Sequence, residues 1–441
     1  MAQEKSYQGK FWQYALPSML SQLLNSLFII VDGFYIGQNM GDAGLAAINV
    51  AWPMVALMQA VSMAIGTGGA VLLAINTGRK DPESAQKAQN DALFLLAAAS
   101  ILFGLGFYIS YPWILPHLGA NQELYPLAAD YMKVVCIFSA CQVMTTGLLP
   151  LLRGAGKTME AMVLTVLGLL GNIYLDWLFI HRYHWGMAGA ALATAISQGI
   201  CGMPCLLILV LRKHPEVSLW PLEPKRMLAI GYFGFSAFGL TISSSVLILM
   251  GNLQALRYGG TRGVAVYAIL SYVLGSVIPL VSGVGEGIQP LLGNAFGAYD
   301  WKAIAALRKK GLLLATATSL LCSLACWVFR RELPILFGAS PEAAAEGMNA
   351  MWTIAAAFPL MAVVRFSCSY FCALGMPGAS SILAYGEPLA AQPLFLYLLP
   401  VFFGLDGVWL SYPAAMILMT SAVAVLLTGH RKKHLREITE S

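Results

Sequence analysis

Charge is what this sequence has least of. Of its 441 residues only 11% are Asp, Glu, Lys or Arg, while 58% are hydrophobic. A soluble protein carries about 25% charged residues, and a water-soluble globule of this length could not cover its surface with so few. That shortage excludes an ordinary cytosolic enzyme, a disordered regulator and a nucleic-acid binder. Metal-ligand spacing is also missing. The eight cysteines, Cys136, Cys141, Cys201, Cys205, Cys322, Cys326, Cys368 and Cys372, all lie in apolar stretches with no companion His or further Cys to complete a zinc site, so they read as packing residues. His117, His181, His184, His214, His430 and His434 are scattered over connections and the tail and read as solvated. There is no Walker-type phosphate loop, which excludes ATP hydrolysis as an energy source. The first apolar run, from Phe11, is too long for a secretory signal and lacks a small-residue cleavage site.

What the sequence has is long apolar runs. Mean hydropathy is +0.71, and a membrane span needs about 20 apolar residues. Twelve such runs are legible: 11–37, 43–74, 87–110, 124–150, 159–180 and 188–211, then 226–256, 263–296, 304–328, 344–374, 379–401 and 406–428. Breakers such as Gly41, Gly78, Pro112, Pro116, Pro221, Pro341 and Pro377 separate them. With the N-terminus in the cytoplasm, 19 of the 26 Lys and Arg fall in inside segments and five in outside loops, leaving Lys133 and Arg365 within spans. The positive-inside rule then places both termini in the cytoplasm. The basic tail GHRKKHLRE reads as a partner for anionic lipid headgroups rather than for nucleic acid.

The chain also repeats itself. IGTGGAVLLAINTGRKD from Ile65 aligns over VGEGIQPLLGNAFGAYD from Val284, so that Gly66, Gly68, Gly78 and Asp81 meet Gly285, Gly287, Gly297 and Asp300. GMAGAAL from Gly186 falls over GLDGVWL from Gly404. Six spans per repeat is an even number, so both halves keep one topology and are related by an axis along the membrane normal. The expected fold is an all-α integral membrane protein of twelve transmembrane helices in two six-helix lobes related by a pseudo-two-fold axis. The lobes are expected at 1–212 and 213–441, the second carrying the basic cytoplasmic tail. A central cleft between them permits alternating access. The glycines of GTGG and GEG read as helix-packing residues.

Ionisable groups within spans cost at least about 2.5–3.5 kcal/mol each and are functional candidates by default. Asp32 and Asp176 each lie a few residues before the outer end of an outward-running span. Asn172 is one turn below Asp176 on the same helix face. Thr194 and Tyr131 lie a few residues into inward-running spans, and at about 1.5 Å per residue all of them fall at one level. Two acids, an amide and two hydroxyls there form an oxygen-rich cation site. Two carboxylates side by side cannot both carry charge cheaply, so the pair takes up a proton, or Na⁺ bound by Asp32, Asn172, Asp176 and Thr194. Pro17 interrupts the first span and reads as a static kink or as a hinge answering the Asp32 region. In the second half Glu286, Gln289, Arg365 and Glu387 form a polar cluster, in which Arg365 is expected to pair with Glu286 or Glu387.

These residues resemble the multidrug and toxic compound extrusion (MATE) family, most closely its DinF-like branch. The resemblance covers nearly the whole chain and rests on LPSMLSQLLNSLFIIVDGFYIG in the first span, LRGAGKTMEAMVLTVLGLLGNIYLDWLFI leading through the fifth, and GEGIQPLLGNAFGA in the eighth. It implies secondary active efflux of lipophilic, often cationic, small molecules against an inward H⁺ or Na⁺ gradient. It assigns the coupling-cation site to Asp32, Asn172, Asp176, Thr194 and Tyr131, and the bent-helix proline to Pro17. It implies no cofactor, no enzymatic reaction, membrane lipids as neighbours, a monomer, and a multi-pass location in a bacterial inner membrane. The acids that another branch of the family places in the seventh and tenth spans are missing here, Glu346 at the rim excepted. A lipid-linked precursor flippase of the same superfamily is the alternative, and it calls for a strongly cationic cleft.

Overall fold

The computed structural model of the chain describes residues 2–211, 223–336 and 341–440. Readings placed on Arg212, Lys213, His214, Pro215 and Pro221, and on the side chains of Lys5, His430, Arg431, Lys432, Lys433, His434 and Arg436, lie outside the described residues. Ten helices are long and apolar enough to cross a membrane, and two bent helix pairs bring the number to twelve among the described residues. In chain order these are α1 Gly9–Gly41, α2 Ala43–Gly78, α3 Pro82–His117, α4 Leu124–Ile137 with Ser139–Gly154, α5 Thr158–Arg182 and α6 Gly186–Val210. The second set is α7 Pro224–Gly260, α8 Arg262–Gly297, α9 Trp301–Val328, α10 Ala345–Ala355 with Phe358–Ala373, α11 Pro377–Phe403 and α12 Leu405–Gly429. All twelve runs read from the sequence are recovered.

The duplication is written into the backbone. Gly41, with φ 61° and ψ −155°, makes the whole connection between α1 and α2. Gly260, 219 residues later, does the same between α7 and α8 with φ 60° and ψ −153°. Only glycine adopts such dihedrals without strain, so these one-residue turns could not be built from another residue type. Lys80 and Tyr299, related by the same offset, share a positive φ. Asp81 caps α3 by accepting from the Ser84 amide at 2.9 Å, and Asp300 caps α9 by accepting from the Ala303 amide at 2.9 Å. Even the bends correspond: α4 turns by 63° at Phe138, and α10 by 46° across residues 356–357.

Two large hydrophobic cores form, one per lobe, with a small third cluster of Val71, Ile75 and Cys372 joining α2 to α10, and two helices are shared between the large ones. The first core draws on helices α1 to α6 and also takes in Ile230 of α7. The second draws on α7 to α12 and also takes in Phe11, Ala15 and Met19 of α1, whereas Ile36, further along α1, belongs to the first. The starting ends of α1 and α7 are therefore exchanged between lobes, and at these two ends the halves of the sequence and the halves of the packed molecule do not coincide. Glycine makes the exchange possible. Helices in lipid associate through close packing of small residues rather than through a hydrophobic drive. A side chain on Gly68 would strike the Ile230 carbonyl, and one on Gly234 the Ala64 carbonyl. Across the pseudo-axis, Gly287 packs on the Tyr14 carbonyl and Gly283 on the Met19 backbone. At the arginine- and lysine-rich end, Gly78 of α2 abuts Asn294 and Gly297 of α8 abuts Ile75, which locks α2 and α8 together there.

Two replacements separate this packing from mere glycine content. Gly68→Ala forces α2 and α7 apart and is expected to lower stability by about 1–3 kcal/mol. Gly106→Ala, on a face of α3 where an added Cβ meets nothing within 4 Å, is expected to leave it unchanged. Thermal unfolding of the purified protein in detergent reads both.

Candidate functional site

The residues expected to form the first-lobe site lie on four helices. α1 brings Asp32, the first limb of α4 brings Tyr131, α5 brings Asn172 and Asp176 one turn apart, and α6 brings Thr194. Asp176 is the last residue of the α-helical part of α5. From Trp177 to Arg182 the helix widens to π geometry, a distortion frequent at functional sites. Asn172 and Asp176 have no exposed surface, and Tyr131 is buried. Asp32 and Asp176 lie close enough to repel each other, and the charges of both reach the Tyr131 hydroxyl. Neither carboxylate has an ion-pair partner among the described residues. Both oxygens of Asp176, Oδ1 of Asp32, Oδ1 and Nδ2 of Asn172 and Oγ1 of Thr194 are buried without a hydrogen-bond partner among them. A buried polar group left unpaired costs about 1–3 kcal/mol, so six in one lobe are an expensive arrangement. Five of the six are oxygens, a donor set that fits a hard monovalent cation or a proton. No three His, Cys, Asp or Glu side chains gather as a metal group among the described residues, and all eight cysteines are free.

A separate cavity of about 480 Å³ opens between the lobes and runs into the second one. That is the size of a drug-binding pocket. None of the five first-lobe site residues lines it; the four residues of the second-lobe cluster, Glu286, Gln289, Arg365 and Glu387, all do. The cluster divides into two ion pairs. Arg365 Nη2 donates to Glu387 Oε1 at 2.9 Å, which decides its partner. Glu286 instead accepts from Arg153 Nη2 at 3.1 Å and from Gln22 Nε2 at 2.5 Å. The sequence places Arg153 among the inside connections. The structure corrects this: α4 continues to Gly154, and the arginine is buried at 6% exposure, facing a carboxylate on the opposite lobe. Glu286 itself was the signal that could have found it, since a carboxylate that deep needs a cation. Lys133, read as lying within a span, is half exposed and pairs with Asp130 at 3.1 Å on its own helix, away from the cavity.

α1 connects the two places. Gln22 in the cavity and Asp32 in the first-lobe site are ten residues apart on one helix, about 15 Å at the α-helical rise. Below Gln22, Pro17 is buried where α1 passes α8, and its carbonyl accepts from Ser21 Oγ at 2.8 Å. The backbone stays helical through Pro17, and Gly41 is the one interruption in the α1–α2 run.

Comparison with known proteins gives one family. The MatE model matches residues 17–178 and again residues 233–384, one match in each half. Among curated relatives, the multidrug export protein MepA of Staphylococcus haemolyticus is 24% identical over 419 residues, covering 92% of this chain and 90% of the relative. The probable multidrug resistance protein YpnP of Bacillus subtilis is 25% identical over 354 residues, 79% of each. A solved structure of a multidrug resistance MATE family transporter in an outward-facing conformation superposes with a TM-score of 0.90 at 22% identity, covering 97% of this chain and 96% of that one. A transporter of the MOP superfamily from Pyrococcus furiosus, described as having a binding pocket of reversed polarity, gives 0.86 at 23% identity, with 97% and 96% covered.

The Arg365–Glu387 pair yields a direct test. Arg365→Gln leaves the carboxylate, itself buried, without its cation and is expected to cost about 3–5 kcal/mol. Adding Glu387→Gln removes the stranded charge, so the double variant is expected to regain most of that loss in thermal unfolding.

Proposed function

This chain belongs to the MatE family, whose members are transporters and not enzymes, and on that premise we propose that it is a secondary active multidrug exporter. It expels lipophilic, often cationic, small molecules from the cell in exchange for inward H⁺ or Na⁺. The observation that carries this reading is the separation of two spaces: an oxygen-lined set of unpaired groups in the first lobe, and a drug-sized cavity between the lobes, joined by a single helix. Cation and cargo then never compete for one pocket, and α1 is the element that each can bias.

In this mechanism substrate enters the cavity from the cytoplasm or inner leaflet. The lobes part on the outside, a cation reaches Asp32, Asn172, Asp176, Thr194 and Tyr131, and cargo leaves. Occupancy of the site favours one position of α1, whose lower end lies in the second lobe's core and whose upper end lies in the first. Pro17 is the hinge of that movement, because a proline leaves one helical hydrogen bond unmade and so lowers the cost of bending. The lobes are taken as 1–212 and 213–441. The protein acts as a monomer in a bacterial inner membrane with both termini in the cytoplasm. The contacts of Gly78 and Gly297 then close the cytoplasmic side.

The flippase alternative needs a cleft with surplus positive charge for an anionic headgroup. Both arginines that line the cavity, Arg153 and Arg365, face glutamates, so the cavity has no such surplus.

The test is gradient-driven dye efflux from proteoliposomes. Asp32→Asn is expected to reduce coupled efflux at least tenfold at equal incorporation. Efflux as fast as that of the unmodified protein would discard the mechanism.

A further inference from the structure

The far end of the cavity holds a second group of unsatisfied polar atoms. Around the Arg365–Glu387 pair, Arg365 Nε, Glu387 Oε2, Gln392 Oε1, Trp409 Nε1 and the Tyr412 hydroxyl are all buried without a partner among the described residues. All five residues line the cavity. Glu387, Trp409 and Tyr412 are exposed by only 1%, 2% and 5%, and Gln392 by 7%. The pair alone therefore does not account for the site. After Arg365 and Glu387 have bonded to each other, three donors or donor-acceptors and two acceptors remain.

The duplication explains how such a group came to be there and why its chemistry differs. In the register that sets Gly404 over Gly186, Tyr412 is the counterpart of Thr194. Glu387 opens a π-helical turn of α11, as Asp176 immediately precedes one in α5. Each lobe thus keeps a buried polar pocket among its fourth, fifth and sixth helices. The first lobe's pocket contains two carboxylates and calls for a cation. The second lobe's contains one guanidinium and one carboxylate, a formal sum of zero, and it calls for a ligand that both gives and accepts hydrogen bonds. It also opens into the cargo cavity, which the first does not.

We propose that the Arg365–Glu387 end of the cavity is a binding subsite for the zwitterionic head of a drug-sized aromatic ligand. The ligand's carboxylate accepts from Arg365 Nε, Trp409 Nε1 and the Tyr412 hydroxyl. Its cationic N–H groups donate to Glu387 Oε2 and Gln392 Oε1. Charge-assisted bonds of this kind are about twice as strong as neutral ones, and a ligand with only one of the two charges leaves half of the group unpaired. Tyr267, lying parallel to Trp409 with ring centroids 6.5 Å apart, adds an aromatic wall for the ligand's ring system. This assignment rests on the export reading for its meaning, but binding to the subsite needs no gradient.

Rhodamine 110, a zwitterion with free N–H groups, and its methyl ester rhodamine 123, a cation, share one ring system and form a matched pair of probes. Their binding is measured by fluorescence polarisation on the full-length protein in detergent, where coupling plays no part, so a failed Asp32→Asn efflux test leaves this result intact and the reverse also holds. The unmodified protein is expected to bind rhodamine 110 at least fivefold more tightly than rhodamine 123. Tyr412→Phe and Trp409→Phe, each checked for unchanged thermal unfolding, are expected to weaken rhodamine 110 at least fivefold and to leave rhodamine 123 within twofold. Arg365→Gln/Glu387→Gln serves as a third variant that removes both charges together, with the same loss expected. Absence of rhodamine 110 binding, equal affinity for the two dyes, or a preference that survives these replacements would overturn the assignment.

Discussion

Two carboxylates in one lobe with no ion-pair partner among the described residues, Asp32 and Asp176, are the constraint from which the proposed mechanism follows. Asp176 has no exposed surface and Asp32, half-buried, has a buried Oδ1; that oxygen and both of Asp176 make no hydrogen bond, and neither acid makes an ion pair, among the described residues. Elsewhere in the spans the protein follows the opposite rule: Glu286 is matched by Arg153, and Glu387 by Arg365. A chain that pairs Glu286 and Glu387 internally and leaves these two unmatched among the described residues supports the proposed reading, in which a coupling cation neutralises them. An exporter driven by a cation gradient needs a site that is costly when empty and quiet when filled, because only a difference in free energy between the two conditions can shift a conformational equilibrium.

In the proposed mechanism the exchange of α1 between the lobes converts that local difference into movement. A helix confined to one lobe could sense the cation and still report it nowhere else. α1 has Ile36 in one core, Phe11, Ala15 and Met19 in the other, and Gln22 bonded to Glu286 between them. The glycine crossings hold these helices backbone to backbone, so a shift in one cannot be absorbed by side chains alone. Pro17 lies in the same short stretch, where a bend is least costly.

Much of this was legible in the sequence, for physical reasons. Spans announce themselves because lipid forbids charge over about 20 residues, and all twelve were found. The duplication was visible because the backbone demands glycine at the same crossings in each half, as at Gly68 and Gly287 or Gly78 and Gly297. Asp32 and Asp176 stood out because an acid within a span is rare, and Asn172 because it lies one turn from Asp176 on the same face. What stayed hidden depends on azimuth and on long-range pairing. Arg153 looked like a loop charge until the second limb of α4 was seen to carry it to Glu286. Trp409 and Tyr412 are ordinary residues for an apolar helix, and nothing local marks them as lining a cavity. The exchange of α1 and α7 between lobes left its trace only in glycines that served equally well for packing within a lobe.

The central claim is that Asp32 and Asp176 together hold the coupling cation. Uptake of cation by the purified protein in detergent tests it most directly, with sodium followed by a radioactive tracer and protons by a weakly buffered indicator. The account predicts uptake of one of the two by the unmodified protein and of neither by the Asp32→Asn/Asp176→Asn double variant. Undiminished uptake by a correctly folded double variant would contradict it.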